Sequence, residues 1–272
     1  MAALGPALQP SERRVVEVIT ADPSWAVEST AQEVADKTGV GRASVIRACQ
    51  SLGYDGYPQL RVALARELTF TTPAEPDGDA TALGRIRAAV DGFALSLRHA
   101  TSLMTEEAVD AAVDAVVTAG RVLVAANGLS GPLGLDAAMR LTAAGRPAEF
   151  VADQVAQQIA ARHLEPGALC IVISGSGANA ASLAVADRAH EAGAQVLAVT
   201  SFPQSPLVAR ADIALVVPPA GGSFRDELEH TSRAAHALVI EALVEVVSAR
   251  LGPRGRDAKA AIYSILSGSL GE

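Results

Sequence analysis

The chain has 272 residues, 50% hydrophobic and 3% aromatic, with a formal net charge of −8; this length suits two domains, and a core of Ala, Val, Leu and Ile favours helices on a Val-rich sheet over an aromatic-rich β-sandwich. No stretch reaches the roughly 18 uncharged apolar residues of a membrane span, since the nearest, 237–247, is broken by Glu241 and Glu245, and no basic-then-apolar leader is visible. The two cysteines, Cys49 and Cys170, sit among apolar residues with no histidine at ligand spacing, so buried free thiols in a reducing cytoplasm are expected and a zinc site is not.

An acidic chain is a poor nucleic-acid binder as a whole, but the charge is uneven. Between positions 37 and 66 stand Lys37, Arg42, Arg47, Arg61 and Arg66 against the single acid Asp55. This segment reads as helical throughout. Pro10-Ser11-Glu12 opens a first helix, with Ser11 as its N-cap and Val15, Val18 and Ile19 as its apolar face. A second helix runs from Thr30 to Thr38 and stops at Gly39. A third starts near Gly41 and ends at Leu52-Gly53. Helix, Gly-containing turn and helix make a helix-turn-helix. In the third helix Val45, Ala48, Cys49 and Leu52 fall at i, i+3, i+4 and i+7, a core stripe. Ala43, Ile46, Arg47 and Gln50 face the other way. Arg pairs with guanine and Gln with adenine in the major groove, while Arg42, Ser44 and the helix N-terminus suit phosphates. A plain solvated helix face is the competing reading, since any surface helix carries Arg and Gln.

Residues 71–83, TTPAEPDGDATAL, hold two prolines, one glycine, three acids and no base, and read as a linker. A helical stretch over about 83–99 follows. Short apolar runs then appear at 121–126, 148–151, 168–174, 195–200 and 213–217, separated by helical segments such as 131–144 and 178–192. Strands alternating with helices predict a doubly wound, five-stranded parallel sheet with helices on both faces. Ligands of such sheets lie beyond the carboxyl ends of the strands, which directs attention to 126–131, 174–180 and 200–206.

The first of these loops is Asn127-Gly128-Leu129-Ser130-Gly131, a strand-to-helix turn whose backbone N–H groups and helix N-terminus suit an anion; a simple turn would look the same. The second, Ser174-Gly175-Ser176-Gly177-Ala178-Asn179, offers hydroxyl donors and a pliable backbone without a charge, which fits a phosphate held by neutral donors and a helix dipole. Neither a Walker loop nor a Gly-x-Gly-x-x-Gly fingerprint is present, so a dinucleotide cofactor is disfavoured; no cofactor and no metal are expected. Beyond an apolar helix over about 234–247, residues 251–255 read as a break and 258–266 as a short amphipathic helix able to dock on a neighbouring subunit.

The run AQEVADKTGVGRASVIRACQSLGYDGYPQLRVAL resembles the N-terminal domain of RpiR-family transcription regulators over about residues 9–66, in its A-x-x-V-A helix, Gly-Val turn, A-S-V-I-R segment and L-G-Y-x-G-Y-x-x-L ending. It departs at Gly41, where the family usually has a capping Ser. The later loops resemble the sugar isomerase (SIS) domain over about residues 85–250. Its Gly-x-Ser is matched by Gly128 and Ser130. Its Ser-x-Ser-Gly-x-Thr is matched by Ser174, Ser176 and Gly177, with Asn179 for Thr and Ala181 where many members have an acid. Its "iT…SPLA…AD" segment is matched by Val199-Thr200, Ser205-Pro206-Leu207 and Ala211-Asp212, and its final helix by the one starting near Glu227 with Ser232-Arg233. The resemblance implies a phosphorylated sugar bound at Asn127, Gly128, Ser130, Ser174, Gly175, Ser176, Gly177, Asn179 and Glu227, and operator DNA bound through Arg42, Ala43, Ser44, Arg47 and Gln50.

SIS domains also occur in aldose–ketose isomerases, which need a general base and an acid. Glu227, His230 and His236 are the candidates, with structural roles as the plainer reading, so no catalytic residue is assigned. The expected division is a helix-turn-helix domain over 1–70, a linker over 71–83, a SIS domain over 84–250 and a tail over 251–272. The expected function is a cytoplasmic transcription regulator that senses a sugar phosphate, as a homodimer or homotetramer because such proteins read two half-sites. An isomerase with an accessory helical domain, or a binding protein without a DNA role, remain the alternatives.

Overall fold

The computed structural model describes residues 8–71, 81–219 and 232–269. Among these, residues up to Arg87 group into one compact unit and those from Ala88 onward into a second.

The first unit is helical: α1 (Pro10–Ala21), α2 (Pro23–Glu28), α3 (Ala31–Thr38), α4 (Arg42–Ser51) and α5 (Tyr57–Thr71). α1 is capped by Gln9, two residues ahead of the expected Ser11. Pro10 takes the first helical position, where its missing N–H costs nothing, and the Gln9 N–H donates to Glu12 Oε2 at 3.2 Å. α3 opens on Thr30, whose hydroxyl accepts from the Glu33 N–H while Glu33 reaches back to the Thr30 N–H. It closes on Gly39 in the left-handed conformation, at φ 64°. α4 then starts from Gly41, which offers no side-chain cap. Val15, Ile19, Val34, Val45, Ala48 and Cys49 are buried together with Ala26, Val27, Tyr57 and Leu60. Leu52, expected on that stripe, is half-buried as the C-cap of α4. The Tyr57 hydroxyl donates to the Ala26 carbonyl at 2.7 Å and Arg61 Nε to the Val27 carbonyl at 2.8 Å, so α5 closes the unit on the end of α2.

α6 (Ala82–Leu97) runs across the boundary between the units. The second unit contains α7 (Glu106–Thr118), β1 (Val122–Ala126), α8 (Gly131–Ala143), β2 (Glu149–Phe150), α9 (Gln154–Arg162), β3 (Leu169–Ile173), α10 (Ala180–Glu191), β4 (Gln195–Thr200), β5 (Ile213–Val216), α11 (Ala234–Arg250) and α12 (Pro253–Ser269). All strands pair in parallel, in the order β2-β1-β3-β4-β5. Alternate residues of each strand feed opposite layers, as period-2 geometry requires. Val122, Val124, Leu169, Ile171, Leu197 and Val199 join Val113, Leu133, Leu141, Val239 and Val244 of α7, α8 and α11. Leu123, Cys170, Val172, Val196 and Ala198 join Ala161 of α9 and Val185 and Ala189 of α10. Both cysteines are buried free thiols, one in each unit, and burial pushes each pKa up to about 12.

The tail departs from expectation. The break is confined to Leu251-Gly252, and α12 is a 17-residue helix that starts at Pro253. A proline read as interruption is here a helix start, again because the first turn needs no N–H from it.

Candidate functional site

The strand order reverses between β1 and β3, because β2 lies on one side of β1 while β3, β4 and β5 follow on the other. At such a reversal the chain leaves adjacent strands toward opposite faces and a crevice opens at their carboxyl ends. The loops that follow β1 and β3 flank it, and they are the two loops singled out by their Gly, Ser and Asn content. The structure brings them into contact: the Gly175 N–H points at Ser130 Oγ, 3.4 Å away. Ser130 ends a 3-10 turn, Gly128–Ser130, that leads straight into α8. Asn179 caps α10, its Oδ1 accepting from the Ser182 N–H at 3.1 Å. The N-termini of α8 and α10 thus both start from these loops, with their positive dipole ends at the carboxyl ends of the strands, one helix on each face of the sheet.

The hydroxyls differ in access. Ser130 and Ser174 are buried, while Ser176 is half-exposed and its Oγ accepts from the Ala178 N–H at 3.3 Å. Gly177 is a position where a side chain cannot be placed. Its φ is +59°, and a Cβ would lie 2.3 Å from Ser205 Oγ and 2.6 Å from Thr200 Oγ1. Its carbonyl also accepts from the Leu207 N–H at 2.9 Å, which ties this loop to the one after β4.

Asn127 plays a different part from the hydroxyls. It is buried, and its Nδ2 donates to Gln157 Oε1 at 3.1 Å and to Ser182 Oγ at 3.0 Å, which uses both of its amide protons inside the protein. Gln157, fully buried, donates in turn to the carbonyls of Ala126 and Val151, at the ends of β1 and β2. This network holds the first loop against α9 and α10. Sequence reasoning missed Gln157 and Ser182. Gln157 is one of three glutamines in α9 and nothing in its spacing marks it as the buried one. It also passed over Thr200, Ser201 and Ser205 as site-forming groups, although the loop 200–206 was identified as one to read. Glu227 and His230 lie outside the described residues. His236, the remaining acid–base candidate, is 2% exposed in the first turn of α11, with Nε2 3.3 Å from Ser201 Oγ. Burial, followed by the charge of Arg233, lowers its pKa from 6.5 to about 4.

On the first unit, α4 exposes Arg42, Ala43, Ile46, Arg47 and Gln50 on one face. Ser44 is not among them. It lies one turn before Ala48 on the edge of the core stripe, is buried, and its Oγ accepts from Arg47 Nη2 at 2.8 Å. Arg47 Nε also stands 4.0 Å from Glu12 Oε1 of α1, with the arginine side chain 56% exposed. Ser44 and Glu12 therefore hold the Arg47 guanidinium in place, while more than half of its side chain stays exposed.

Among the described residues no helix is long and apolar enough to cross a membrane, and no cluster of His, Cys, Asp and Glu is placed to hold a metal.

Two family models match the chain: a helix-turn-helix domain of the rpiR family over residues 3–70 and a SIS domain over residues 116–241. The chain is 31% identical to the HTH-type transcriptional regulator HexR of Pseudomonas aeruginosa, over 90% of this chain and 86% of that protein. It is also 31% identical to the Bifunctional protein glk of Burkholderia thailandensis, over 93% of this chain but 40% of that longer protein. Among solved structures, the Vibrio vulnificus NanR protein complexed with ManNAc-6P superimposes with a TM-score of 0.77 over 97% of this chain and 96% of its own, at 22% identity, a likeness of fold. A helical unit with a helix-turn-helix, a SIS-type parallel sheet and these relatives identify the chain as a member of the RpiR family of transcription regulators.

Proposed function

We propose that this regulator senses a phosphorylated sugar at the loops that follow β1 and β3, and that occupancy of this site alters its binding to operator DNA. The observation that carries the proposal is the meeting of Ser130 with Gly175 at the strand-order reversal, where two helix N-termini and uncharged donors converge. A phosphate dianion suits such a place, since hydrogen bonds to a charged group are stronger than those between neutral groups. Ser130, Ser174, Ser176 and the backbone of Gly128, Gly175 and Gly177 hold the phosphate in this reading. Asn127 and Asn179 shape the loops, and Glu227 contacts the sugar. The complex that gave the similar NanR structure contains ManNAc-6P, which supports a sugar phosphate as the effector class.

Arg42, Ala43, Arg47 and Gln50 present α4 to the major groove, with Ser44 holding Arg47 rather than touching DNA. Two half-sites call for two copies of α4, so the acting species is a homodimer or homotetramer. The working division keeps a DNA-binding domain over 1–70, a linker over 71–83, an effector domain over 84–250 and the tail beyond. The protein works in the cytoplasm, and no catalytic step is assigned to it: His236 is buried and neutral near pH 7, so it is not poised as a general acid at the loop mouth.

A mobility-shift titration on the protein's own promoter, with and without a panel of sugar phosphates that includes ManNAc-6P, tests the proposal. A change in apparent operator affinity with one of them supports it. Turnover of the same compounds in a coupled ketose–aldose assay, with no DNA retention, would establish the isomerase alternative instead.

A further inference from the structure

The reading of the loops leaves one buried group unused. His236 is the third residue of α11, and with Val239 and Ile240 its helix packs onto the sheet. The imidazole Nε2 lies 3.3 Å from Ser201 Oγ, and Nδ1 is fully buried with no hydrogen-bond partner among the described residues. An unsatisfied buried nitrogen is costly, and an apolar side chain of similar volume would fill the same space without it. Packing alone therefore gives no reason for a histidine at this position, whereas its contact with Ser201 does.

Ser201 is 1% exposed and directly follows β4. Its backbone N–H donates to the Gly175 carbonyl at 2.9 Å, and Thr200 Oγ1 donates to the same carbonyl at 3.1 Å. The N–H of Gly175 points at Ser130. Gly175 is therefore gripped on both sides, by the loop after β4 through its carbonyl and by the loop after β1 through its N–H. A glycine has no side chain to fix its peptide planes, so these contacts decide where the neighbouring N–H groups of the loop point. A phosphate bound by backbone N–H groups needs those directions held to a fraction of an ångström.

We propose that His236 is a positioning residue for the effector site: through Ser201 it fixes the orientation of the Gly175 loop and so sets the affinity for the phosphate group. The inference rests on the assignment of these loops as the phosphate site. It adds α11 as the element that supports them from behind.

The test uses the full-length protein, with inorganic phosphate and ManNAc-6P as probes. His236→Leu removes the contact with Ser201, and His236→Gln keeps a polar group able to reach it. Calorimetry should show His236→Leu binding roughly two- to tenfold more weakly, the loss expected for one hydrogen bond between neutral groups. His236→Gln should recover most of that loss. Operator affinity without effector should be unchanged in both. Ser201→Ala reads the same contact from the other side: its loss and that of His236→Leu should not add in the double variant. It also serves if His236→Leu folds poorly. In the wild type, the imidazole NMR signals of His236 should move when inorganic phosphate is added. Wild-type affinity in a folded His236→Leu variant, or a Gln variant as weak as the Leu variant, would overturn the proposal and leave His236 as core packing. A wild type that binds neither probe and no other sugar phosphate is a distinct outcome: it removes the phosphate site itself and this inference with it.

Discussion

The exposed face of α4 and the loops after β1 and β3 carry opposite chemistry. α4 presents guanidinium groups to solvent on a rigid helix, with Arg47 held by Ser44 and Glu12. The loops present hydroxyls and peptide N–H groups, mostly buried, around Gly128, Gly175, Gly177 and two helix N-termini. Under the proposed function both regions meet phosphate groups. Charge on a surface gives reach and speed but is screened by salt and distinguishes anions poorly. Fixed dipoles in a buried pocket act over short range and keep their strength in salt, but they must be placed accurately. A helix facing a polyanion uses the first device, and a pocket for one small dianion the second.

The sharpest way to break this contrast is at Gly177. Gly177→Ala must find room at +59° and 2.3 Å from Ser205 Oγ, so the loop has to move. Effector affinity should fall about a hundredfold or more while operator binding in the absence of effector persists. Equal loss of both functions would mean that the substitution unfolds the protein. Next come the hydroxyls. Ser130→Ala and Ser176→Ala should each weaken sugar-phosphate binding by roughly ten- to a hundredfold, and the double variant by less than the product, because both donate to one phosphate group. Calorimetry that finds unaltered affinity in both would empty this loop pair of its role.

On α4, Arg47→Ala should cost about 1–3 kcal/mol of operator binding and relax base preference at one position. The salt dependence sharpens the comparison. Operator affinity should fall steeply and linearly on a log–log plot against salt, whereas effector affinity should change little. A flat operator plot would deny α4 its electrostatic part.

A separate expected effect concerns the pH dependence of stability rather than binding. His236 binds a proton near pH 6.5 when unfolded but only near pH 4 in the native state, because burial first and Arg233 second oppose the charge. Between those values the unfolded chain holds more protons, so this group's contribution to stability is intact above pH 6.5 and is lost as pH falls toward 4. Subtracting the melting profile of His236→Gln from that of the wild type isolates this contribution. A difference that stays constant from pH 7 to 4.5 would contradict the buried, neutral imidazole.

Much of the fold was legible because it rests on local pattern. Val45, Ala48 and Cys49 lie on one helix face by spacing alone, and the apolar runs that became β1, β3 and β4 are bounded by Gly, Ser or Asn turns. The pair of loops at the strand-order reversal was legible for the same reason, as turn chemistry between a strand and a helix. What stayed hidden depends on long-range contacts. Gln157 meets Asn127 across 30 positions, and His236 meets Ser201 across 35. Neither side chain differs in local context from an ordinary helix residue. The burial of Ser44 was hidden more narrowly. Its polarity suggested the phosphate side, but its place four residues before Ala48 turned it inward. Pro253 shows the same limit for punctuation, since it opens a helix inside a stretch that reads as a break.

The placement of the two cysteines has a practical consequence. Cys49 lies in the core of the helical unit and Cys170 in the middle strand layer of the other, each fully buried and each with its thiolate suppressed up to about pH 12. Neither thiol can be alkylated while its surroundings stay closed, so the rate at which each one reacts measures how often its own unit opens. One wild-type sample, labelled over time and digested, would yield two opening free energies. Adding operator DNA should slow the labelling of Cys49 and adding the effector that of Cys170. Any crossover between the two would measure the coupling between the domains without a single substitution.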